Sequence, residues 1–311
     1  MTRMLAVVTM ITLLGAPQAG RIPAPASEPE IVFYQDVVWS PDGKKITTSA
    51  MHIVAALWEK ERFGALRKSQ FDIEVLAVDG SSTARITQNS GNDMWPVWWP
   101  GGQCLLYVAE RDGSSGLYFV KADGSDRQAP KGLPNHVSQP SASPDGKKIA
   151  FMSRQGAESH IYVVENHATT PKKVTSIGPN NWNPVWSPDG TKILFFSDRQ
   201  GKGQDQIFVV NTDGSGETQL TRDDFNNVFP SWSPDGKRIL FGSTRAGKGS
   251  SGIFVMDADG SNLRRLIQDM PAEFARWSPD DGRLAFISGN FPDTHIYVAD
   301  ADGTNPTLLT R

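Results

Sequence analysis

Six copies of one pattern, a short turn followed by an apolar run, constrain the fold of this chain more than any other feature. The fourth copy reads Pro-Val-Trp-Ser-Pro-Asp-Gly-Thr-Lys-Ile-Leu-Phe-Phe-Ser. A second pattern, such as Ile-Phe-Val-Val-Asn-Thr-Asp-Gly at residues 207–214, follows each copy. The six copies occupy residues 37–49, 96–109, 140–153, 184–197, 230–243 and 275–288. Their prolines are 59, 44, 44, 46 and 45 residues apart, and a near-constant period of this length indicates a repeat architecture.

Each repeat has the local chemistry of a small antiparallel sheet. Ser-Pro-Asp-Gly favours a turn, because proline presets φ at its second position and glycine accepts a positive φ at its end. The β-branched and aromatic runs favour strands, and the later Asp-Gly favours a hairpin. A lone four-stranded sheet cannot bury both faces, so the sheets must stack in a ring. We therefore predict an all-β fold, a six-bladed β-propeller with four antiparallel strands per blade.

The first tryptophan of the motif predicts how the blades pack. We expect this large apolar side chain to lie between neighbouring blades. It is Trp39, Trp98, Trp186, Trp232 and Trp277, with Ala142 in the third copy. Each blade is complete in sequence, so we expect the ring to close by packing of blade faces or by addition of residues 21–32 to the last blade.

The remaining segments suggest export. Residues 1–20 have the basic start, apolar run and small residues of a secretory signal peptide, and a cleavage as late as residue 26 fits as well. Residues 21–36 form a lead-in and residues 37–311 the propeller, with an inserted segment at 52–70 that predicts a short helix. The insertion either belongs to the binding face or is a solvated lid without a role. We expect a periplasmic or secreted monomer without a transmembrane segment.

Composition narrows the function classes. The chain has 31 basic and 34 acidic residues, which argues against a nucleic-acid binder that works by bulk phosphate neutralisation. The single cysteine, Cys104, allows neither an internal disulfide nor a cysteine-based zinc site. The Gly-x-Ser-x-Gly motif of α/β-hydrolases does not occur, so that catalytic machinery is not expected.

The tandem Trp-Ser-Pro-Asp-Gly motif, followed by Ile-Phe/Tyr-Val and Asp-Gly, resembles the propeller of the TolB family, and the match covers residues 37–311. The resemblance implies a propeller, an exported location and an envelope protein or peptide as ligand at the channel mouth, with a Pal-like lipoprotein as a candidate partner. TolB proteins carry an α/β domain before the propeller. Only residues 21–36 separate the signal from the first motif here, so we expect that domain to be absent.

The residues that precede each motif differ from blade to blade and should converge on one mouth of the central channel. Carboxylates, amides, a histidine and aromatic side chains are typical of a site for a polar ligand, sugar or peptide. The candidate ligand-binding residues are Asp36, Asp93, Trp95, His136, Asn181, Trp182, Asn227, Phe229 and Glu273. A structural interpretation stays open, in which the Asn and Asp side chains only cap bends at a solvated channel.

These observations favour a protein- or ligand-binding scaffold, without assigned catalytic residues and without a required cofactor. The alternative is a metal-dependent lyase or hydrolase that acts on a polysaccharide or lactone in the channel. In that case Asp36, Asp93 and Glu273 with His136 would hold a divalent cation such as calcium or act as general acid and base. An arginine that recurs after the second strand, as Arg111, Arg154, Arg199 and Arg245, is interpreted as a structural turn contact.

Overall fold

The structure is a computed structural model that describes residues 30–88, 91–130, 133–166, 170–176, 178–199, 204–247 and 251–310. The predicted signal peptide and most of the predicted lead-in lie outside the described residues. Within them, no helix is long and apolar enough to cross a membrane.

The described strands form six antiparallel sheets, and each sheet is one repeat. In chain order the strands are β1 (Glu30–Trp39), β2 (Lys45–Val54), β3 (Phe71–Ala77), β4 (Thr83–Arg85), β5 (Asp93–Trp98), β6 (Cys104–Arg111), β7 (Ser114–Lys121), β8 (Val137–Ala142), β9 (Lys148–Gln155), β10 (Glu158–Glu165), β11 (Lys172–Lys173), β12 (Asn181–Trp186), β13 (Lys192–Ser197), β14 (Gln206–Asn211), β15 (Thr218–Gln219), β16 (Asn227–Trp232), β17 (Arg238–Ser243), β18 (Gly252–Asp257), β19 (Arg264–Arg265), β20 (Glu273–Trp277), β21 (Arg283–Asn290), β22 (Asp293–Asp300) and β23 (Thr307–Leu308). The prediction of a six-bladed β-propeller is confirmed.

Neighbours in each sheet are neighbours in sequence, so every blade is a simple meander. Five blades have four strands. The second blade has β5, β6 and β7, and a single bridge between Phe119 and Gln128 stands in place of its fourth strand.

The Ser-Pro-Asp-Gly segments form the predicted turns. In the fourth blade Ser187 Oγ donates to Asp189 Oδ1 over 2.5 Å and accepts from the backbone N–H of Lys192 over 2.9 Å. Gly190 closes the turn with a φ of +70° and a 2.9 Å bond from its N–H to the carbonyl of Ser187. The turn therefore satisfies its own polar groups. These turns follow the innermost strands, so they share one face of the ring, and the innermost strands begin on the opposite face, here called the mouth face.

The motif tryptophans lie between blades, as predicted. Trp186 of the fourth blade packs against Ala150 and Ile161 of the third, and its Nε1 donates to the carbonyl of Ser141 over 3.1 Å. All five of these indoles are buried or nearly so. The alternating apolar positions of the strands thus meet across each blade interface and form the core.

The ring closes by face packing between the sixth and first blades. Trp39 packs against Ile287 and Ile296, and its Nε1 donates to the carbonyl of Arg276 over 3.1 Å. The N–H of Tyr34 donates to Thr294 Oγ1 over 2.7 Å. Of the two predicted modes of closure, the structure has face packing. Residues 30–32 pair with β2 of the first blade rather than with the last blade.

The inserted segment forms two short helices, α1 (Ala55–Lys60) and α2 (Arg62–Lys68), where one was expected. They connect β2 to β3 and therefore lie on the mouth face. Leu57, Trp58 and Ala65 join a cluster with Phe33 of the first blade and Phe291 of the sixth. The insertion is therefore packed against the blades and is not a free solvated lid.

Candidate binding site at the channel mouth

Every innermost strand breaks its register three residues before the motif tryptophan position, and the residue there has a left-handed φ. These six residues, here called the bulge ring, are Asp36 (φ 61°), Trp95 (54°), Gln139 (50°), Asn183 (54°), Phe229 (52°) and Phe274 (56°). The innermost strands of a propeller surround its central channel, so the bulge ring surrounds the channel. A bulge redirects side chains, and a left-handed residue other than glycine costs about 1–3 kcal/mol, which the surrounding sheet must offset.

One part of the bulge ring is ionisable. Asp36 is only 8% exposed; Ser49 Oγ donates to its Oδ2 over 3.1 Å, and its Oδ1 has no hydrogen-bond partner in the described structure. Burial raises the pKa of Asp36 well above its usual range, against the opposing effects of Ser49 and the charge of Arg276. Burial likewise lowers the pKa of Arg276 to about 10. The channel thus holds one carboxyl and one guanidinium group that lack full solvation.

A second part of the bulge ring is aromatic. The ring centroids of Phe229 and Phe274 are 4.1 Å apart, and those of Phe229 and Phe196 are 5.5 Å apart. Trp182 extends this group, with its centroid 5.5 Å from that of Phe196. The predicted residues Trp182 and Phe229 therefore belong to one aromatic cluster, in which both are half-buried while Phe196 and Phe274 are buried.

Amide side chains form the third part. The backbone N–H of Asn183 donates to Gln139 Oε1 over 2.9 Å, while Asn183 Nδ2 is buried without a partner in the described residues. The sequence interpretation missed Gln139, Asn183 and Arg276. Counting a fixed number of residues back from each tryptophan position would have found the first two, because all six blades have the bulge at the same place.

Three predicted site residues are buried within their blades and are not exposed at the channel. Asp93, Asn181 and Asn227 are fully buried. Each is held by the recurrent arginine of its own blade: Arg111 Nη2 is 2.7 Å from Asp93 Oδ1, Arg199 Nη2 is 2.6 Å from Asn181 Oδ1, and Arg245 Nη2 is 3.4 Å from Asn227 Oδ1. The prediction that these three residues contact a ligand is not supported by their burial. In these three blades the recurrent arginine makes a structural contact within its own blade, in agreement with the interpretation from the sequence.

The remaining predicted residues lie on the mouth face in different settings. Trp95 is half-buried in the bulge ring, and its backbone N–H donates to Ser49 Oγ over 3.0 Å. His136 is exposed, at the start of the third innermost strand. Glu273 accepts a hydrogen bond from Ser251 Oγ, and burial raises the pKa of Glu273. The structure thus brings Asp36, Trp95 and Phe229 into one ring, and leaves His136 at its outer rim.

This placement does not assemble the four residues that the lyase or hydrolase alternative would use. Asp93 is fully buried and paired with Arg111, whereas His136 is exposed to solvent. Among the described residues, no group of three or more His, Cys, Asp or Glu side chains is placed to hold a metal ion.

Comparison with known proteins agrees with the geometry. The family model described as the TolB beta propeller domain matches residues 125–205 and 202–311, more than half of the chain. The chain belongs to the TolB β-propeller family.

Individual members of the family are distant. A TolB-type structure from Agrobacterium tumefaciens is 26% identical with a TM-score of 0.69, over 77% of this chain and 88% of that one. TolB from Acinetobacter baumannii shares the fold at 20% identity and a TM-score of 0.65, over 96% of this chain and 66% of that one. An uncharacterised protein of Agrobacterium fabrum (strain C58) is 29% identical over 87 residues, which are 28% of this chain and 25% of that protein.

Proposed function

We propose that this TolB-family propeller is an exported binding scaffold that holds a peptide segment of an envelope protein at its channel mouth. The observation that carries the proposal is the bulge ring, where one backbone geometry recurs in six blades while the side chain is of five different types. A structural requirement alone would favour the same small residue, glycine, at a left-handed position. Five side-chain types, unevenly distributed around one channel, suit recognition of an asymmetric ligand.

The chemistry of the ring favours a peptide. Asp36 Oδ1 and Asn183 Nδ2 are an acceptor and a donor without partners in the described structure, and buried polar groups are normally hydrogen-bonded. A peptide supplies both N–H and carbonyl groups. Phe229 and Trp182, the half-buried members of the aromatic cluster, would bury an apolar side chain of the same segment. A cationic peptide end beside Asp36 would favour its charged form.

The cellular setting follows from the signal and the family. Residues 1–20 would direct export to the periplasm or beyond, and a Pal-like lipoprotein of the envelope is the partner that the TolB relationship suggests. Fractionation of cells that express the full chain would test this, with export expected for the wild type and loss of export after deletion of residues 1–20.

The binding test is affinity capture from an envelope extract of the source cell. The wild type is compared with Phe229→Ala and Asp36→Asn, and with Lys147→Ala on the turn face as control. We expect one envelope protein to be retained by wild type and control and to be lost or reduced at least about tenfold in both channel variants, as for hot-spot residues. Equal retention by all four proteins would refute the channel mouth as the site.

A further inference from the structure

Two carboxylates oppose each other at the mouth end of the fourth blade, outside the bulge ring. The hairpin of β13 and β14 ends with the pair Ser197 and Gln206. Asp198 and Asp205 are the next residues on its two arms, just beyond the last paired position. Continued pairing would place their Cβ atoms about 4.5–5.5 Å apart. Like charges in this position are destabilising unless something offsets them.

This pair is a departure from the repeat. Where the register continues in other blades, the corresponding positions carry at most one carboxylate. The pairs are Met51 with Phe71, Glu110 with Ser115, Ser159 with Arg154, and Gly289 with Thr294. Two opposed carboxylates are thus specific to the fourth blade among these hairpins.

Asp205 is only 7% exposed, and its Oδ1 is buried without a hydrogen-bond partner in the described structure. Asp198 Oδ1 is also buried and unpartnered, while Asp198 Oδ2 accepts from Asn180 Nδ2 over 3.2 Å. Burial, and then the charge of Asp198, raise the pKa of Asp205 to about 7. Two buried oxygens therefore lack the partner that would stabilise the ionised pair.

The neighbouring arginine does not supply that partner. Arg199 Nη1 binds Glu217, its Nη2 donates to Asn181 over 2.6 Å, and its Nε donates to Ser197 Oγ over 3.2 Å. Its guanidinium carbon also lies 4.1 Å from the ring centroid of Phe208. All these contacts hold the positive charge inside the blade.

We propose that Asp198 and Asp205 bind a divalent cation with a preference for oxygen ligands, calcium being the best fit. Calcium takes carboxylate oxygens together with carbonyls and water, in flexible geometry. The bound ion would offset the repulsion across the hairpin and fix the mouth end of the fourth blade. The site is separate from the bulge ring and does not depend on the proposed peptide ligand.

Thermal unfolding and calorimetric titration of the mature chain with calcium and magnesium, after removal of bound metal with EDTA, test the proposal. We expect calcium, at concentrations up to about 10 mM, to raise the unfolding temperature of the wild type. This concentration lies above the ~10⁻⁴–10⁻³ M dissociation constants of extracellular calcium modules, so a site of that affinity would be occupied. Asp205→Asn should weaken calcium affinity by about tenfold or more. In EDTA the same variant should be at least as stable as the wild type, because the repulsion is removed.

Glu110→Gln is the matched control, since Glu110 is a half-buried carboxylate at the position of Asp198 in the second blade. It should keep the calcium response, as should Asp36→Asn in the channel. No calcium or magnesium response in the wild type, or an unchanged response in Asp205→Asn, would overturn the proposal. If Asp198 and Asp205 only share a proton and bind no metal ion, the wild type will show no calcium or magnesium response. Peptide capture by Asp205→Asn remains as in the wild type if the two proposals are independent.

Discussion

His52 Nε2 lies 2.7 Å from Oε1 of Glu74, at the seam where the last blade meets the first. Glu74 stands opposite Thr48, where the other five blades have two aromatic rings opposite each other. Those pairs are Tyr107–Tyr118, Phe151–Tyr162, Phe195–Phe208, Phe241–Phe254 and Phe286–Tyr297. The seam therefore carries a polar network in place of the paired aromatic rings that the other interfaces share.

The first prediction concerns the pH dependence of this network. Glu30 Oε2 is 2.7 Å from His52 Nδ1, and Arg85 and Asp72 complete the charges around Glu74. Burial alone would lower the pKa of His52, but the hydrogen bond and charge of Glu74 outweigh it and raise the pKa. The stabilisation is therefore complete below the unfolded pKa of about 6.5 and is lost as pH rises through the higher folded value.

We expect the unfolding temperature of the wild type to fall as pH is raised from about 6 to 9, and to fall less in His52→Gln. Calorimetry at several pH values measures both. Equal slopes in the two proteins would contradict the assignment of this dependence to His52.

The second prediction compares how much two of the recurrent arginines contribute to the free energy of unfolding. Arg199 binds Glu217 and Asn181 and packs on Phe208, so Arg199→Ala should cost about 2–4 kcal/mol of unfolding free energy, since it leaves buried polar groups unpaired. Arg154 has the same place in the third blade, but it is exposed, and within the described residues its guanidinium donates only to the carbonyl of Gly156, from Nε over 3.1 Å. Arg154→Ala should therefore change stability by less than about 0.5 kcal/mol. Denaturant unfolding compares them, and equal costs would argue against the arginine–amide contact as the cause.

The third prediction tests the indole hydrogen bond at the seam. Trp39 Nε1 donates to the carbonyl of Arg276 over 3.1 Å, whereas Trp232 Nε1 has no partner in the described structure. Both indoles pack between blades, so replacement by phenylalanine removes similar apolar area. We expect Trp39→Phe to cost about 1 kcal/mol more than Trp232→Phe, the net worth of one hydrogen bond. Urea unfolding of both variants measures the difference, and the reverse order would contradict the prediction.

The fourth prediction concerns the inserted helices. Trp58 lies edge-on to Phe291 of the last blade, with ring centroids 5.7 Å apart, and so joins the insertion to the seam. Trp58→Ala should cost about 1–3 kcal/mol, because this half-buried ring loses its packing. Glu59→Ala, an exposed change on the same helix, should stay within about 0.5 kcal/mol. A Trp58→Ala protein as stable as Glu59→Ala would show that the insertion does not contribute to closure.

Much of the architecture could be predicted because its causes are local and repeat six times. The Ser-Pro-Asp-Gly turn satisfies its own polar groups within five residues, as Ser187 shows with Asp189 and Lys192. Alternating apolar strands then require blade-on-blade packing, which places Trp186 where the motif predicted it.

The site could be predicted only in outline. The residues before each motif do reach the mouth face, but their order in sequence does not say which face of the strand they occupy. The bulge shifts the register by one residue, and such a shift exchanges the two faces of a strand. It turns Asp36 and Phe229 towards the channel and leaves Asn227 fully buried against Arg245.

By itself the sequence determined the number of blades and the turns, because each depends on residues close together in the chain, and the recurring motif assigned the tryptophans to the blade interfaces. The tertiary structure alone decided how the ring closes and where charge is buried. Tyr34 and Thr294 meet across 260 residues at the seam, and Asp36 shares the channel with the distant Arg276. Such contacts depend on the stacking of whole blades, and no local pattern encodes which side chains that stacking will bring together.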